Sequence, residues 1–214
     1  MWGDSGGAAP RLLLDIEGTT TPIAFVTETL FPYARARLEA FLAREGRAAE
    51  APGFLAEMDR DSKSAALKEL QGRIWVEGYA SGHLVGAVFD DVPRAFAAWH
   101  AAGRRIAIYS SGSVLAQRCL FRHSSAGDLS RFIAAYYDTA VGPKQDAASY
   151  TRIAAAAEVD TASMLFVSDV VRELDAARSA GMRTVLADRP GNAAQPAHPY
   201  RVIRTFDEIA GSAA

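Results

Sequence analysis

The sequence predicts an α/β protein whose core is a parallel β-sheet covered by helices on both faces. Short apolar runs alternate with alanine-rich helical stretches along most of the chain, and this alternation is typical of strands joined by crossover helices. The apolar runs contain almost no polar residues, which favours strands buried on both faces over strands with one solvated face. Of the 214 residues, 50% are hydrophobic, which is enough to build such a core.

Five strands and four helices account for this pattern. The predicted strands cover residues 11–15, 105–110, 132–137, 164–169 and 183–187. The predicted helices of the same region cover residues 92–102, 114–122, 147–158 and 170–180. Gly103 and Gly181 directly follow two of these helices, as glycine commonly does at a helix C-terminus. The composition of residues 190–199, with three prolines and a glycine, predicts a loop.

A helical segment separates the first strand from the rest of its sheet. Residues 22–86 contain no convincing strand and predict helices at 28–44, 54–58, 64–71 and 74–79. We therefore expect an α/β core made of residues 10–21 and 87–214, with a helical cap made of residues 22–86 inserted after the first strand. These helices either form a lid over the end of that strand or simply pack against the sheet.

Two carboxylates mark the end of the first predicted strand. Asp15 closes the apolar run and Glu17 follows two residues later, before a Gly-Thr-Thr turn. In an extended chain, residues i and i+2 share a face, so both carboxylates can point into one site. A nucleophile paired with an acid for phosphoryl transfer would have this arrangement. The alternative is a strand that ends in a solvated acidic turn.

The second strand ends in a sequence that suits a phosphate group. Ser110 and Ser111 offer hydroxyl donors, and Gly112 lets backbone N–H groups approach a ligand closely. A helix that begins near Ser113 would point its positive end at the anion. The same residues could instead form an ordinary turn and helix cap; we interpret Ser113 as the cap and Ser110 and Ser111 as ligand donors.

Asp169 lies at the end of a third predicted strand. Three separate segments of the sequence therefore place potentially catalytic or ligand-binding side chains at strand ends. Open parallel sheets bind ligands at the carboxyl ends of their strands, which predicts one shared site. Asp15 and Asp169 would supply the oxygen ligands that Mg²⁺ prefers. Glu173 follows Asp169 at i+4 on the same helix face, although acidic residues are favourable at any helix start. Lys144 lies near a loop tip; it either pairs with the nucleophile and phosphate or is solvated, and local sequence alone favours solvation.

Composition excludes several other classes of function. The net charge is -2 and no basic block occurs, so we expect no nucleic-acid partner. Cys119 is the only cysteine, which rules out an intrachain disulfide, and we interpret it as a helix packing residue. The four histidines show no metal-ligand spacing. Residues 1–10 do not resemble a signal peptide and no run is long enough to span a membrane, so we expect a cytoplasmic protein.

Taken in order, these residues resemble the haloacid dehalogenase superfamily of aspartate-nucleophile phosphatases, and more narrowly the enolase-phosphatase family of methionine salvage. The resemblance extends from residue 14 to residue 192. The motifs that carry it are Asp-Ile-Glu-Gly-Thr-Thr-Thr-Pro-Ile-Ala-Phe-Val at 15–26, Leu-Phe-Pro-Tyr at 30–33, Ala-Leu-Lys-Glu-Leu-Gln-Gly at 66–72, Ile-Tyr-Ser-Ser-Gly-Ser-Val at 108–114, Ala-Gly-Asp at 126–128, Tyr-Asp-Thr at 137–139, Ser-Asp-Val at 168–170 and Arg-Pro-Gly-Asn at 189–192. Most superfamily members carry Asp where Glu17 stands, and the Glu is typical of this one branch.

The resemblance implies a Rossmann-like core of the haloacid dehalogenase type, a helical cap and a Mg²⁺ cofactor. It also implies a role for each strand-end residue: Asp15 as nucleophile and metal ligand, Glu17 as acid/base with its main-chain carbonyl on the metal, Ser110, Ser111 and Gly112 as substrate-binding residues, Lys144 as the partner of phosphate and nucleophile, Asp169 as a metal ligand, and Glu173 as the residue that orients a metal-bound water. Many relatives carry a longer insert around residues 44–59, so cap contacts with substrate are not transferred.

The implied substrate is 2,3-diketo-5-methylthiopentyl 1-phosphate, which would be enolised and then dephosphorylated to the acireductone 1,2-dihydroxy-3-keto-5-methylthiopentene. Glu17 and Lys144 are both candidates for the group that takes the enolisation proton. A general small-metabolite phosphatase of the same superfamily is the alternative, and a catalytically silent binding domain is disfavoured because nucleophile, lysine and metal aspartate are all present. We expect a monomer that acts on a small phosphorylated molecule.

Overall fold

The computed structural model describes residues 11–62 and 64–210 and confirms the predicted α/β fold. Its sheet has six parallel strands in the order β3-β2-β1-β4-β5-β6. The strands are β1 (Arg11–Leu14), β2 (Ile106–Tyr109), β3 (Ile133–Tyr137), β4 (Met164–Ser168), β5 (Arg183–Ala187) and β6 (Val202–Ile203). The first five match the predicted strands to within two residues at each end. The sequence analysis missed β6, because two residues carry no usable periodicity.

Three α-helices form the insert that follows β1. A π-helical turn at Phe25–Leu30 runs directly into α1 (Phe31–Arg44), which is followed by α2 (Ala51–Asp59) and α3 (Ala65–Ala80). No strand occurs in the described part of this insert. The predicted helices at 64–71 and 74–79 form one helix, so their separation was wrong. Gly72 does not interrupt α3; it allows close packing, since a Cβ there would lie 3.2 Å from the hydroxyl of Ser113.

The remaining helices cover both faces of the sheet. They are α4 (Val92–Ala101), α5 (Val114–Arg122), α6 (Ala147–Ala156), α7 (Val171–Ser179) and α8 (Asp207–Ala210). On one face, Leu12 and Leu14 of β1 belong to a buried cluster that includes Trp99 of α4. On the other face, Leu13 belongs to a second buried cluster that includes Tyr150 of α6. The unbroken apolar sequence of β1 therefore reflects burial on both faces.

A buried ion pair fixes the turn that follows β1. The guanidinium of Arg189 binds the carboxylate of Asp91 through two hydrogen bonds of 3.0 and 2.8 Å. The same guanidinium donates to the main-chain carbonyl of Thr19 at 3.1 Å, and the Asp91 carboxylate accepts from the backbone N–H of Phe206 at 2.6 Å. This group of contacts joins the turn after β1, the start of α4 and the C-terminal segment. The sequence analysis had noted Arg189 only as part of a motif.

The structure does not test two of the expectations. Residues 1–10, for which no signal peptide was expected and which include the predicted start of the core at residue 10, lie outside the described residues. The division into a core and a cap at residues 22 and 86 stays a prediction. Within residues 11–62 and 64–210, no helix is both long enough and apolar enough to cross a membrane.

The buried pair allows a test of what holds the β1 turn. Asp91→Ala leaves the Arg189 charge buried without its partner, so we expect the free energy of unfolding to fall by about 3–5 kcal/mol. Asp207→Ala is the matched control, because it removes the carboxylate partner of Arg94 in an ion pair whose side chains are 50% and 57% exposed. Urea unfolding of both variants measures the difference. Equal losses in the two variants would contradict a structural role for the buried pair.

Candidate active site

The structure brings the three polar strand ends together, as the sequence predicted. Strands β2, β1 and β4 are neighbours in the sheet, and the three are parallel. Ser110, Asp15 and Asp169 each come directly after one of them. The three side chains therefore lie along one edge of the sheet, and all three residues are buried.

Lys144 lies at the centre of this cluster rather than in solvent. Its ammonium group is 2.7 Å from Oδ1 of Asp15 and 2.7 Å from Oε2 of Glu173. The residue is only 9% exposed, and the hydroxyl of Tyr150 donates to its main-chain carbonyl at 2.7 Å. The local interpretation of Lys144 as solvated was wrong, because the loop after β3 turns back over the sheet edge. Nothing in that loop's own sequence reveals the carboxylates it meets.

Ser168 is a second contact that the sequence analysis missed. This fully buried hydroxyl lies 2.8 Å from Oε2 of Glu173 and 3.2 Å from Oδ2 of Asp15, and it accepts the N–H of Val170 at 3.1 Å. The backbone N–H of Ile16 donates to Oδ1 of Asp15 at 2.7 Å. Both Asp15 oxygens are therefore held in place from several directions. A serine immediately before the strand-end Asp was the only signal in the sequence.

Charge is concentrated at this site, and the pKa values reflect it. Burial alone would lower the pKa of Lys144, but the charges of Asp15 and Glu173 outweigh burial and raise that pKa. Burial, with added repulsion from Asp15, raises the pKa of Asp169 to about 7. The same two causes raise the pKa of Glu173 to about 7. One ammonium group thus does not neutralise the whole cluster of carboxylates.

The turn after Asp15 passes directly beside Asp169. Gly18 has a φ of +65°, and a Cβ at this position would lie 2.4 Å from Oδ2 of Asp169, so only glycine fits. The side-chain amide of Asn192 donates to the carbonyl of Gly18 at 2.9 Å. The Thr20 hydroxyl donates to the carbonyl of Asp15 at 3.1 Å. Asn192 was noted in the sequence only as part of a motif, and its contact places it as a support for this turn.

The donors at this edge fit a hard divalent cation. Asp15 and Asp169 supply carboxylate oxygens, and the backbone at Gly18, the residue after Glu17, lies against Asp169. Among the residues described, no three His, Cys, Asp or Glu side chains form a group that could hold a metal ion. A cation here would therefore rely on two carboxylates, a main-chain carbonyl and water, which is a ligand set that suits Mg²⁺.

A cavity of about 450 Å³ lies between the helical insert and the strand ends. The core side is lined by Glu17 and by Ser110, Ser111 and Gly112. The hydroxyl of Ser113 accepts the N–H of Ala116 at 3.3 Å, which confirms it as the cap of α5. The insert closes the other side of the cavity with α1 and α3. This position agrees with a lid over the end of β1.

Similarity to known proteins covers nearly the whole chain. Residues 11–181 match the family model of the haloacid dehalogenase-like hydrolases. Enolase-phosphatase E1 of Synechococcus elongatus is 47% identical, over 92% of this chain and 96% of that protein. Enolase-phosphatase E1 of Frankia alni is 45% identical, over 97% and 98%. The crystal structure of UTR4 protein from Saccharomyces cerevisiae has a TM-score of 0.81 and 34% identity, over 93% of this chain and 99% of that one.

The raised carboxyl pKa values predict an unusual pH dependence of stability for the metal-free protein. Asp169 and Glu173 have ordinary values of 3.8 and 4.5, and both rise to about 7 in the fold. Between those values the folded protein binds more protons than the unfolded chain, so stability is highest at the acid end and is lost as the pH rises through about 7. Urea unfolding in the presence of a chelator, between pH 5 and 8, measures this slope.

Glu173→Gln is the control for that slope. The substitution removes one of the two titrating groups and should make the loss of stability shallower. A free energy of unfolding that increases with pH over the same range would contradict the assignment.

Proposed function

Because this chain belongs to the haloacid dehalogenase-like hydrolases and, within them, to the enolase-phosphatase E1 family, we propose that it enolises and dephosphorylates 2,3-diketo-5-methylthiopentyl 1-phosphate in methionine salvage. Its products are the acireductone 1,2-dihydroxy-3-keto-5-methylthiopentene and phosphate. The observation that carries the proposal is the carboxylate of Asp15 at the end of the central strand, held 2.7 Å from a buried ammonium group. The adjoining cavity of about 450 Å³ gives room for a substrate of this size.

Asp15 is the nucleophile in this proposal. Its carboxylate oxygen attacks phosphorus, the bond to the leaving oxygen breaks, and an aspartyl-phosphate forms that water then hydrolyses. The contacts of Lys144, Ser168 and the Ile16 N–H fix the carboxylate before the reaction, which favours attack from one orientation. Glu17 lines the cavity, where it can protonate the leaving oxygen and later activate the attacking water.

The phosphate group is held by the end of β2 and by Lys144. Ser110, Ser111 and Gly112 line the cavity directly before α5, whose N-terminus favours an anion. The ammonium of Lys144 offsets repulsion between the substrate phosphate and the carboxylate that attacks it. Glu173 in turn fixes that ammonium from its second side at 2.7 Å.

Glu17 rather than Lys144 takes the enolisation proton in this proposal. Glu17 lines the cavity, and the Lys144 ammonium is already shared by two carboxylates. Asp15, Asp169 and the main-chain carbonyl of Glu17 would hold Mg²⁺. The cation supplies Lewis-acid stabilisation of the negative charge that develops on substrate oxygens.

We further propose that residues 22–86 act as the cap of this site and that the protein works as a monomer in the cytoplasm. The cavity between the insert and the strand ends supports the first point. Within the described chain, the large apolar side chains that are exposed are Val85, Leu115 and Val202, and they are scattered along the sequence. So few exposed large apolar side chains among the described residues support a monomer, since large exposed apolar patches commonly mark protein interfaces. Size-exclusion chromatography with light scattering measures the mass directly.

The direct test mixes purified protein with the diketo-phosphate and Mg²⁺ and follows ultraviolet enol absorbance and free phosphate in one cuvette. Enol absorbance and phosphate release that a chelator abolishes are the expected result. Phosphate release from simple esters, with no action on the diketo-phosphate, would instead identify a general phosphatase of this family.

Asp15→Asn separates the two halves of the reaction. Phosphate release should fall by about 10⁴-fold or more, the scale seen when a covalent nucleophile is removed, while part of the enolisation persists. Asp175→Asn, which changes an exposed carboxylate on α7, is the matched control and should retain both activities. Phosphate release that persists in Asp15→Asn would show that another residue is the nucleophile.

A further inference from the structure

One face of α3 presents a polar half and an apolar half to the cavity. Lys68, Gln71, Trp75 and Tyr79 all line it, and their spacing of three or four residues places them on one side of the helix. None of these residues takes part in the reaction described above. Their order along the helix therefore bears on which substrate the cavity accepts.

Gln71 is a buried amide that lacks a protein partner. The residue is only 8% exposed, yet no described residue forms a hydrogen bond with its side chain. Buried side-chain amides are almost always hydrogen-bonded. Since Gln71 lines the cavity, its amide can bind water or a ligand that replaces water there.

Lys68 lies one turn earlier on the same face and is half-buried. Its ammonium group donates to the hydroxyl of Thr139 at 2.9 Å, which uses one of three N–H donors. No ion pair joins Lys68 to a carboxylate of the described residues. In contrast, Arg35, which also lines the cavity, pairs with Asp59 at 2.8 Å. Lys68 therefore has both charge and donors available for a ligand.

The contacts between α3 and α5 show which of these cavity-lining residues lies nearest the strand ends. In the middle of α3, Gly72 packs against Ser113, the cap of α5 at the phosphate end of the cavity. At the end of α3, Tyr79 stacks on His123, which follows the last turn of α5, with ring centroids 5.6 Å apart. The Lys68 and Gln71 pair is thus close to the phosphate end, and Trp75 lies further along.

We propose that Lys68 and Gln71 bind the two adjacent carbonyl oxygens of the substrate and that Lys68 stabilises the enolate formed there. This inference rests on the proposed function. In the enolisation, the C1 proton moves to the Glu17 carboxylate, the C–H electron pair becomes the C1=C2 double bond, and the carbonyl electron pair moves onto O2. The charge on O2 faces Lys68, and the amide of Gln71 donates to the neighbouring carbonyl oxygen. The apolar side chain of Trp75 contacts the methylthio end.

A structural role for Lys68 has to be separated from contact with substrate, because its bond to Thr139 also joins the insert to the core. Three variants make this separation. Lys68→Met removes the ammonium, Gln71→Leu removes the amide at similar volume, and Thr139→Val removes the hydrogen bond but keeps Lys68. Thermal unfolding by circular dichroism verifies that each variant is folded.

The first readout is the single-turnover rate of enol absorbance with the diketo-phosphate. Loss of one preorganised donor to a developing oxyanion costs about 10²–10³-fold, so we expect Lys68→Met to lose about 100-fold or more. Gln71→Leu should lose less, about 10-fold, since its bond goes to the oxygen that does not take the charge. Thr139→Val should stay within about 3-fold, because Lys68 is still present.

The second readout is binding, measured by calorimetry with two non-hydrolysable alkylphosphonates of equal length. One carries adjacent carbonyl groups and the other carries none. Wild-type protein and Thr139→Val should prefer the dicarbonyl compound, whereas Lys68→Met and Gln71→Leu should bind both equally. A general loss of structure would weaken both compounds and leave their ratio unchanged.

The outcomes separate this inference from the proposed function. Active wild-type protein whose variants keep the enol rate and the binding preference would overturn the inference alone. The same holds if Thr139→Val loses as much rate as Lys68→Met, since Lys68 would then act only by joining insert to core. Wild-type protein that forms no enol would overturn the proposed function and this inference with it.

Discussion

The contact of Lys144 with Asp15 and Glu173 is the interaction on which the rest of the site depends. A parallel sheet places the ends of adjacent strands side by side, so it forces the carboxylates that follow β1 and β4 into one small, poorly hydrated volume. A single buried ammonium group, 2.7 Å from each of two carboxylates, offsets part of their repulsion. It does not offset all of it, because the pKa of Asp169 is still raised to about 7 by burial and by Asp15. Full ionisation of this cluster is therefore unfavourable without a cation, and a divalent cation would stabilise the ionised carboxylates.

The strands and the residues at their ends could be predicted from apolar periodicity and position in the sequence. Contacts between residues that are distant in sequence could not. Apolar runs with polar ends located β1, β2 and β4 and placed Asp15 and Asp169 at one edge. The burial of Lys144 could not be predicted, because its partners are distant in sequence and its own loop has the composition of a solvated one. The same reason hid the Arg189 contact with Asp91. The sequence also predicted two helices at 64–71 and 74–79 where one helix occurs, because the close packing of Gly72 against Ser113 is a contact between residues that are distant in sequence.

The carboxylate of Asp15, the proposed nucleophile, is supported by the turn that follows it as much as by its direct contacts. That turn contains Gly18, whose left-handed backbone leaves no room for a side chain beside Asp169. Asn192 and Arg189, both from the segment after β5, bind carbonyl groups of the turn. The segment that follows β5 thus helps to fix the positions of Asp15 and Asp169 relative to each other. A preorganised pair of carboxylates is what both phosphoryl transfer and cation binding require.

The two halves of the proposed reaction draw on different parts of the chain. Every contact described for Asp15, Lys144 and Glu173 comes from residues outside the insert. Lys68 and Gln71, in contrast, belong to α3 and reach the cavity from the opposite side. The group proposed for phosphate transfer is therefore complete without the insert, while the proposed recognition of the carbonyl oxygens depends on it. On this division of roles, replacing residues on α3 changes which phosphate ester is enolised and leaves the paired carboxylates of the core intact.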